Sequence, residues 1–274
     1  MIQPRRVIVA FHAHPDDEAL YTGGTLAALA ARGHRVVLVT ATAGAAGLTR
    51  PGFAPDELAA RRSAELARSA KALGCARLVQ LGYPDSGSAA GVAPAPGSFA
   101  ARPLAEVAER LAEILRAERA DLLIVYDANG GYGHRDHVRV HDAGLAAARL
   151  TGTPRVLAAT VDRTAIARAL RVLGWARLVP VGTATERIGS WYSARAEITH
   201  RVPVRRFLAA KRAALACHTS QTEGGRGPRT VGLLLALPKP LFRLACGVEW
   251  FVEIGGARPV RPLGDPLIPT RLAR

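Results

Sequence analysis

The stretch Val7-Ile8-Val9-Ala10-Phe11-His12-Ala13-His14-Pro15-Asp16-Asp17-Glu18 (VIVAFHAHPDDE) runs from an unbroken apolar segment straight into a crowd of titratable side chains. Val7–Phe11 shows no polar alternation, which fits a strand covered on both faces, as in a parallel sheet. The carboxylates and imidazoles that follow do not belong in an ordinary core, where charges must be paired or neutralised. A parallel sheet offers them a place, because ligands of open α/β sheets bind outside the carboxyl ends of the strands.

Working outward from this stretch, strand and helix signals alternate. The spacing predicts a helix from about Ala19 to Ala31 stopped by Gly33, then a buried strand at Arg35–Ala41. Pro55-Asp56-Glu57 opens a long helix to about Leu73, closed by Gly74, and Arg77–Leu81 is a short strand. Tyr83 to Ala101 is rich in Gly, Pro, Ser and Ala and reads as a long loop of the kind that walls active sites. A helix from Leu104 to about Arg119 feeds the strand Leu122–Tyr126 (LLIVY) and a glycine-rich loop. A helix near Asp136–Leu150 and a strand at Arg155–Val161 follow. Such alternation predicts an α/β fold: a Rossmann-like, doubly wound, mostly parallel sheet with helices on both faces.

Beyond Thr164 the pattern weakens to a helix at Val204–Cys217 and a Pro-rich tail from Arg258, expected to wrap over the surface. No repeat or boundary divides the chain, so a single domain over residues 1–274 is expected. Residues 1–160 would form the core and its site, and 161–274 the substrate-side elements and tail.

Composition narrows the function. Hydrophobic residues make up 49% of the 274, enough for a sizeable core, yet no apolar run approaches the roughly 18 residues of a membrane span. The start, Met1-Ile2-Gln3-Pro4-Arg5-Arg6, has no cleavage-site pattern, so a cytoplasmic enzyme is the expectation. Cys75, Cys217 and Cys246 are too few and too scattered for a disulfide framework or a thiolate metal site. The net charge of +15 comes from arginines spread along an alanine-rich chain, with only Lys71, Lys211 and Lys239 as lysines. Such a skew suits a GC-rich genome as well as a phosphate-binding surface; without finger spacing or an RNA-stacking aromatic motif nucleic-acid binding is not expected, and a basic surface can still steer an anionic small substrate.

The chemistry gathers at two strand ends. Of the eight histidines, His12, His14, His134, His137 and His141 sit in or beside the loops after Val7–Phe11 and Leu122–Tyr126, which parallel strands would bring together. His14 and Asp17, on a turn made by Pro15, can join His137 to present two imidazoles and one carboxylate with a coordination position left open. That is a catalytic rather than a structural zinc arrangement. Asp16 can then face the metal-bound water as a base without ligating, and His134 can protonate a leaving group or hold an oxyanion. The competing reading makes Asp16, Asp17 and Asp136 helix caps, with His14 and His137 on the surface. His12 reads as a packed strand residue or a partner of a ligand, and His141 as a face residue of its helix.

Ala13–Glu18 (AHPDDE) together with Gly130–His137 (GGYGHRDH) resembles the PIG-L/LmbE-like deacetylases, which include N-acetylglucosaminyl-phosphatidylinositol, mycothiol-pathway and bacillithiol-pathway deacetylases. The likeness continues more weakly through Lys211–Gln221 and Glu249-Trp250-Phe251. It implies a zinc ion, with Fe²⁺ or another divalent metal as substitutes, on His14, Asp17 and His137, with Asp16 as base and His134 as acid or electrophile. Tyr132 resembles the mobile tyrosine that polarises the carbonyl in the mycothiol deacetylase. Arg62, in an Arg-x-x-Glu pattern with Glu65, and Asp85 resemble sugar-contacting residues. His218 and Gln221 either line the pocket or cap the Val204–Cys217 helix. Where the family usually carries proline between His134 and Asp136, this chain has Arg135, which frees the backbone and adds charge at the rim.

The expected activity is therefore removal of an N-acetyl group from an N-acetylglucosamine-type conjugate, with Arg135 and the arginine excess favouring an anionic one. The alternatives are an amidase cleaving a larger acyl group from a glucosaminyl conjugate and, more distantly, a non-haem iron oxygenase, whose facial triad uses the same ligand types. A second carboxylate beside the ligands has work in hydrolysis and none in oxygen activation.

Overall fold

The computed structural model describes residues 4–46, 54–87, 92–168, 189–224, 227–257, 259–268 and 270. A seven-stranded sheet is built from β1 (Val7–His12), β2 (Arg35–Thr42), β3 (Arg77–Tyr83), β4 (Leu122–Tyr126), β5 (Val156–Thr160), β6 (His200–Pro203) and β7 (Val248–Glu253). Their order is β3-β2-β1-β4-β5-β7-β6. The first five run parallel, with Val9 opposite both Val37 and Leu123. β7 is antiparallel to β5, and β6 to β7, so the sheet is mixed at one edge. The helices are α1 (Gly23–Ala31), α2 (Pro55–Ala72), α3 (Leu104–Glu118), α4 (Arg135–Thr151), α5 (Leu208–Cys217), α6 (Thr230–Ala236) and α7 (Lys239–Cys246). α1, α2 and α5 pack together on one face, α3 and α4 on the other. No described helix is long and apolar enough to cross a membrane.

The winding places the site. The chain steps outward from β1 to β3, then returns through α3 to lay β4 on the other side of β1. Between β1 and β4 successive connections leave in opposite directions, which opens a crevice at the carboxyl ends of those two strands. β1 and β4 are buried along nearly their whole length, with Phe11 and Tyr126 among the largest side chains fully out of water. α3 buries Val107, Leu111 and Leu115, a stripe at helical spacing. α4 lies close against β4 at Gly144, where a Cβ would stand 2.4 Å from Val125 Cγ1. Only glycine lets the helix bearing His137 come this near.

Three expectations need correction. The helix expected from Ala19 opens as a π-turn, Glu18–Thr22, before α1 begins at Gly23. The reason is distant in sequence: both oxygens of Glu249, on β7, accept the Gly24 and Thr25 amides at 2.8 and 2.7 Å and so fix where the regular helix starts. The loop after β4 contains a helical turn, Gly130–Gly133, with non-helical backbone at Gly131 and Tyr132. Finally, the weakly patterned second half contributes β6 and β7. The described part of the tail pairs with the edge of β6, where Arg201 N–H donates to Leu263 O at 2.8 Å and Leu263 N–H to Thr199 O at 2.9 Å. Arg258 itself lies outside the described residues.

Candidate active site and metal centre

The turn after β1 is held from several sides. Arg62 of α2, almost fully buried, donates to Pro15 O at 2.5 Å and to Gly44 O at 2.8 Å, and its guanidinium lies 3.5 Å from Asp16 Oδ2. Gly44, at φ 69°, makes room: a Cβ there would fall 2.4 Å from the guanidinium carbon. Asp16 adopts φ 104°, a backbone region costly for a side-chain-bearing residue. Its amide donates to Glu18 Oε2 at 3.0 Å. Glu18 is fully buried, and its Oε1 receives Ser69 Oγ at 2.5 Å and His218 Nε2 at 2.7 Å. Burial opposes the charge on both Glu18 and His218, yet each stabilises the other, so the carboxyl is held below and the imidazole above its ordinary range. The strained turn therefore rests on a buried ion pair.

Within the crevice, ring nitrogens of His14, His134 and His137 lie within 4.8 Å of one another. Asp17 Oδ2 stands 3.3 Å from His14 Nδ1 and 3.3 Å from His137 Nε2. The other nitrogen of His14, Nε2, is 3.1 Å from Asp136 Oδ2 and 3.6 Å from Asp85 Oδ1. Burial disfavours charge on His14, but the Asp136, Asp17 and Asp85 carboxylates hold its pKa well above the usual histidine range. Burial likewise opposes ionisation of Asp17, and His137 and His14 keep its carboxyl well below the usual range.

His137 is the telling residue. It is fully buried and stacked on Tyr126 at 4.1 Å between ring centroids. Among the described residues its Nδ1 has no hydrogen-bond partner, and its Nε2 meets only the Asp17 carboxylate, 3.3 Å away and outside good hydrogen-bond geometry. A buried imidazole whose nitrogens make no well-formed hydrogen bond is costly unless something else occupies them. The surrounding donors, imidazole and carboxylate without thiolate, suit a zinc-type divalent ion.

The helix-cap reading fails on the side chains. Asp17 makes no capping bond at the π-turn. The cap of α4 is His134, whose Nδ1 accepts the Asp136 amide at 3.2 Å. Asp136 instead turns to His14 and to the Ser86 amide, at 3.1 Å each. Burial, with His14 and His137 nearby, pushes the His134 pKa down to about 4. A neutral His134 whose Nδ1 is an acceptor carries its proton on Nε2.

The remaining expected residues gather round a cavity of about 340 Å³ lined by Asp16, Arg62, Asp85, Tyr132 and Gln221 along with His14, Asp17 and His134. Burial raises the Asp16 pKa, Arg62 works against that and Asp17 with it. Asp85 accepts the Gly87 and Ala46 amides at 2.8 and 3.2 Å. Burial opposes its charge, but His14 and these contacts keep it well below the usual carboxylate range. Tyr132 is 41% exposed and flanked by Gly131 and Gly133 at positive φ. Glu65 sits away from the cavity lining, binding Ser220 and Thr219 and so fixing the turn that carries Gln221. His218 neither lines the cavity nor caps α5 with its side chain, since it serves Glu18. His12 bonds Tyr126 OH and Thr22 Oγ1 at 3.2 and 3.0 Å, and His141 bonds Tyr126 O at 2.8 Å. Sequence reasoning passed over Asp136 and Glu18 as site residues, and only their place beside His14 and Asp16 could have drawn attention to them.

Comparison with known proteins gives a consistent picture. Residues 9–148 match the PIG-L family, described as GlcNAc-PI de-N-acetylase. A 1D-myo-inositol 2-acetamido-2-deoxy-alpha-D-glucopyranoside deacetylase from Kineococcus radiotolerans is 44% identical over 53% of this chain, which is 45% of that protein. Its namesake from Acidothermus cellulolyticus is 34% identical over 95% of this chain and 92% of that one. In fold, the chain is similar to N,N'-diacetylchitobiose deacetylase from Pyrococcus horikoshii, with TM-score 0.59 and 22% identity over 92% of this chain and 85% of that one. It is also similar to a 4-carboxy-2-hydroxymuconate hydratase from Pseudomonas putida, with TM-score 0.61 and 15% identity over 94% of this chain and 100% of that one. Since this architecture carries more than one chemistry, the assignment rests on the sequence matches: the chain belongs to the PIG-L family of de-N-acetylases, hydrolases of an amide C–N bond.

Proposed function

We propose that the chain is a zinc-dependent N-deacetylase that releases acetate from an N-acetylglucosamine-type conjugate. His14, Asp17 and His137 would hold the ion, and the observation that carries the reading is the buried His137 ring, which makes no well-formed hydrogen bond and turns Nε2 to Asp17 at 3.3 Å. Zinc, when bound, supplies Lewis acidity and brings the pKa of a coordinated water down to ~7.

The protein's own groups account for the rest. Asp16 lies in the same cavity without sharing the His14–His137 contacts, so it takes the proton of the attacking water and returns it to the departing amine. The His134 Nε2–H, fixed as a donor by the Asp136 amide on Nδ1, bonds the acyl oxygen as negative charge develops there. This makes His134 an electrophile rather than a general acid. Tyr132, at the mouth on its glycine-flanked turn, can swing toward the same oxygen. Asp85, kept ionised, accepts from a sugar hydroxyl, and Arg62 holds the turn while presenting its edge to the cavity.

The direct test is acetate release from N-acetylglucosamine conjugates by enzyme prepared metal-free and then supplied with zinc. Acetate that appears only with the metal supports the reading. Conjugates left intact in both preparations would reject it.

A further inference from the structure

The hairpin of α6 and α7 carries apolar side chains on both of its faces. Inward, Val231, Leu234 and Cys246 line the cavity, and Phe242 is buried beneath α7. Outward, Leu233 is 54% exposed, Leu241 50% and Leu244 81%, and Ala236, Pro238 and Pro240 stand exposed among them. On α7 the buried Phe242 and Cys246 mark the inner stripe, and Leu244, two residues from each, is turned to the opposite side. A surface helix ordinarily puts polar residues there. The hairpin is held in this attitude from within. Arg212 of α5 donates to Leu235 O at 2.5 Å and to Leu237 O at 3.4 Å, and its guanidinium lies 4.9 Å over the Phe242 ring. Just past the end of α7, Gly247 O accepts the Val204 amide at 3.0 Å.

The charge around these leucines has one sign. Between Glu197 and Glu249 the sequence holds a single acid, Glu223, and none lies between Glu223 and Glu249. Lys239 and Arg243 are exposed on α7 itself, one turn apart. Arg205 is exposed as well, and its Cγ would stand 3.3 Å from a Cβ on Gly247, which puts it against the end of α7. Contiguous exposed apolar surface marks a contact with something, and the cations say with what. An anionic lipid surface takes apolar side chains below its headgroups and lysine or arginine at its phosphates. A second copy of the chain fits worse. Across a twofold axis the patch would meet itself, bringing Lys239 and Arg243 toward their own copies with no carboxylate to separate them.

We propose that the α6–α7 hairpin docks the protein on anionic membranes, with Leu233, Leu241 and Leu244 inserted beneath the headgroups and Lys239 and Arg243 at the phosphates. The attachment is peripheral and weakens with salt. Because the same hairpin walls the cavity, docking sets that wall about one helix diameter, ~10 Å, from the membrane surface. The inference goes beyond the deacetylase reading, and its test needs no turnover.

Co-sedimentation with lipid vesicles tests it. The protein should pellet with vesicles of mixed phosphatidylglycerol and phosphatidylcholine at low salt, and far less with phosphatidylcholine alone. Lys239→Gln and Arg243→Gln should each weaken binding about fivefold. Leu241→Ser combined with Leu244→Ser should weaken it by roughly tenfold or more while leaving the melting temperature in place, since both side chains face outward. Leu241→Met with Leu244→Met keeps the apolar bulk and should keep the binding. No association with the anionic vesicles, or an association that the two serines leave unchanged, overturns the inference. A wild-type dimer in light scattering that the serines convert to monomer overturns it too, because a second copy would then occupy the face.

Discussion

Replacing Asp16 with Asn removes one proton acceptor and little else. Position 16 sits at φ 104°, and Asn tolerates positive φ about as readily as Asp does. The bond from its amide to Glu18 Oε2 is made by the main chain and survives the change. What is lost is the 3.5 Å contact with Arg62, whose other bonds to Pro15 O and Gly44 O remain. That contact is largely buried, so losing it costs about 3 kcal/mol and Tm should fall by several degrees. General-base catalysis is worth ~10²–10⁴-fold, or about 3–5 kcal/mol. Activity should therefore collapse while the fold persists, and the loss should fall on kcat because the proton moves in the transition state. Zinc content, acetate-release kinetics and thermal melting on one preparation give all three quantities. A zinc-loaded Asp16→Asn enzyme with wild-type kcat refutes the base assignment.

Other substitutions probe the supports. His137→Ala should strip zinc while the sheet survives; tightly bound stoichiometric zinc by elemental analysis would reject the ligand set. Gly144→Ala should push α4 off β4, where the new Cβ meets Val125, destabilising by about 1–3 kcal/mol and weakening zinc affinity together; a more stable variant with unchanged zinc affinity contradicts the close-approach argument. His218→Gln removes the cation facing Glu18. The raised His218 pKa contributes stability that is full below its ordinary value of 6.5 and lost as pH rises through the folded value. The lowered Glu18 pKa contributes stability present above 4.5 and lost as pH falls through the folded value. The Tm gap between wild type and His218→Gln should thus be widest between pH 4.5 and 6.5, and a gap independent of pH would deny the ion pair.

The parts of this fold written locally were legible in the sequence. Leu122–Tyr126 is an apolar run bounded by polar residues, and β4 occupies those same residues. The two histidine-rich loops could be brought together on paper because both follow strands of one parallel sheet, and the β1–β4 pairing makes them neighbours. β6 and β7 were invisible for physical reasons. His200–Pro203 is four residues long with a proline, tolerated because it lies at the sheet edge, and Val248–Glu253 gains its place by pairing with strands far away in sequence. The π-turn depends on Glu249 and Lys211 reaching across the molecule, which no local pattern encodes. At the site, residue types and spacing singled out His14, Asp17 and His137, but not which carboxylate each ring faces. That Asp136 bonds His14 instead of capping α4 follows from the packing of α4 against β4, and the capping role passes to His134.

The most direct test of the central claim is a zinc titration of metal-free enzyme, with acetate release from an N-acetylglucosaminide measured at each point. The account predicts negligible turnover without metal, a rise in proportion to zinc, and a plateau at one equivalent per chain. Full turnover in the metal-free enzyme, or none at any zinc level, would contradict it.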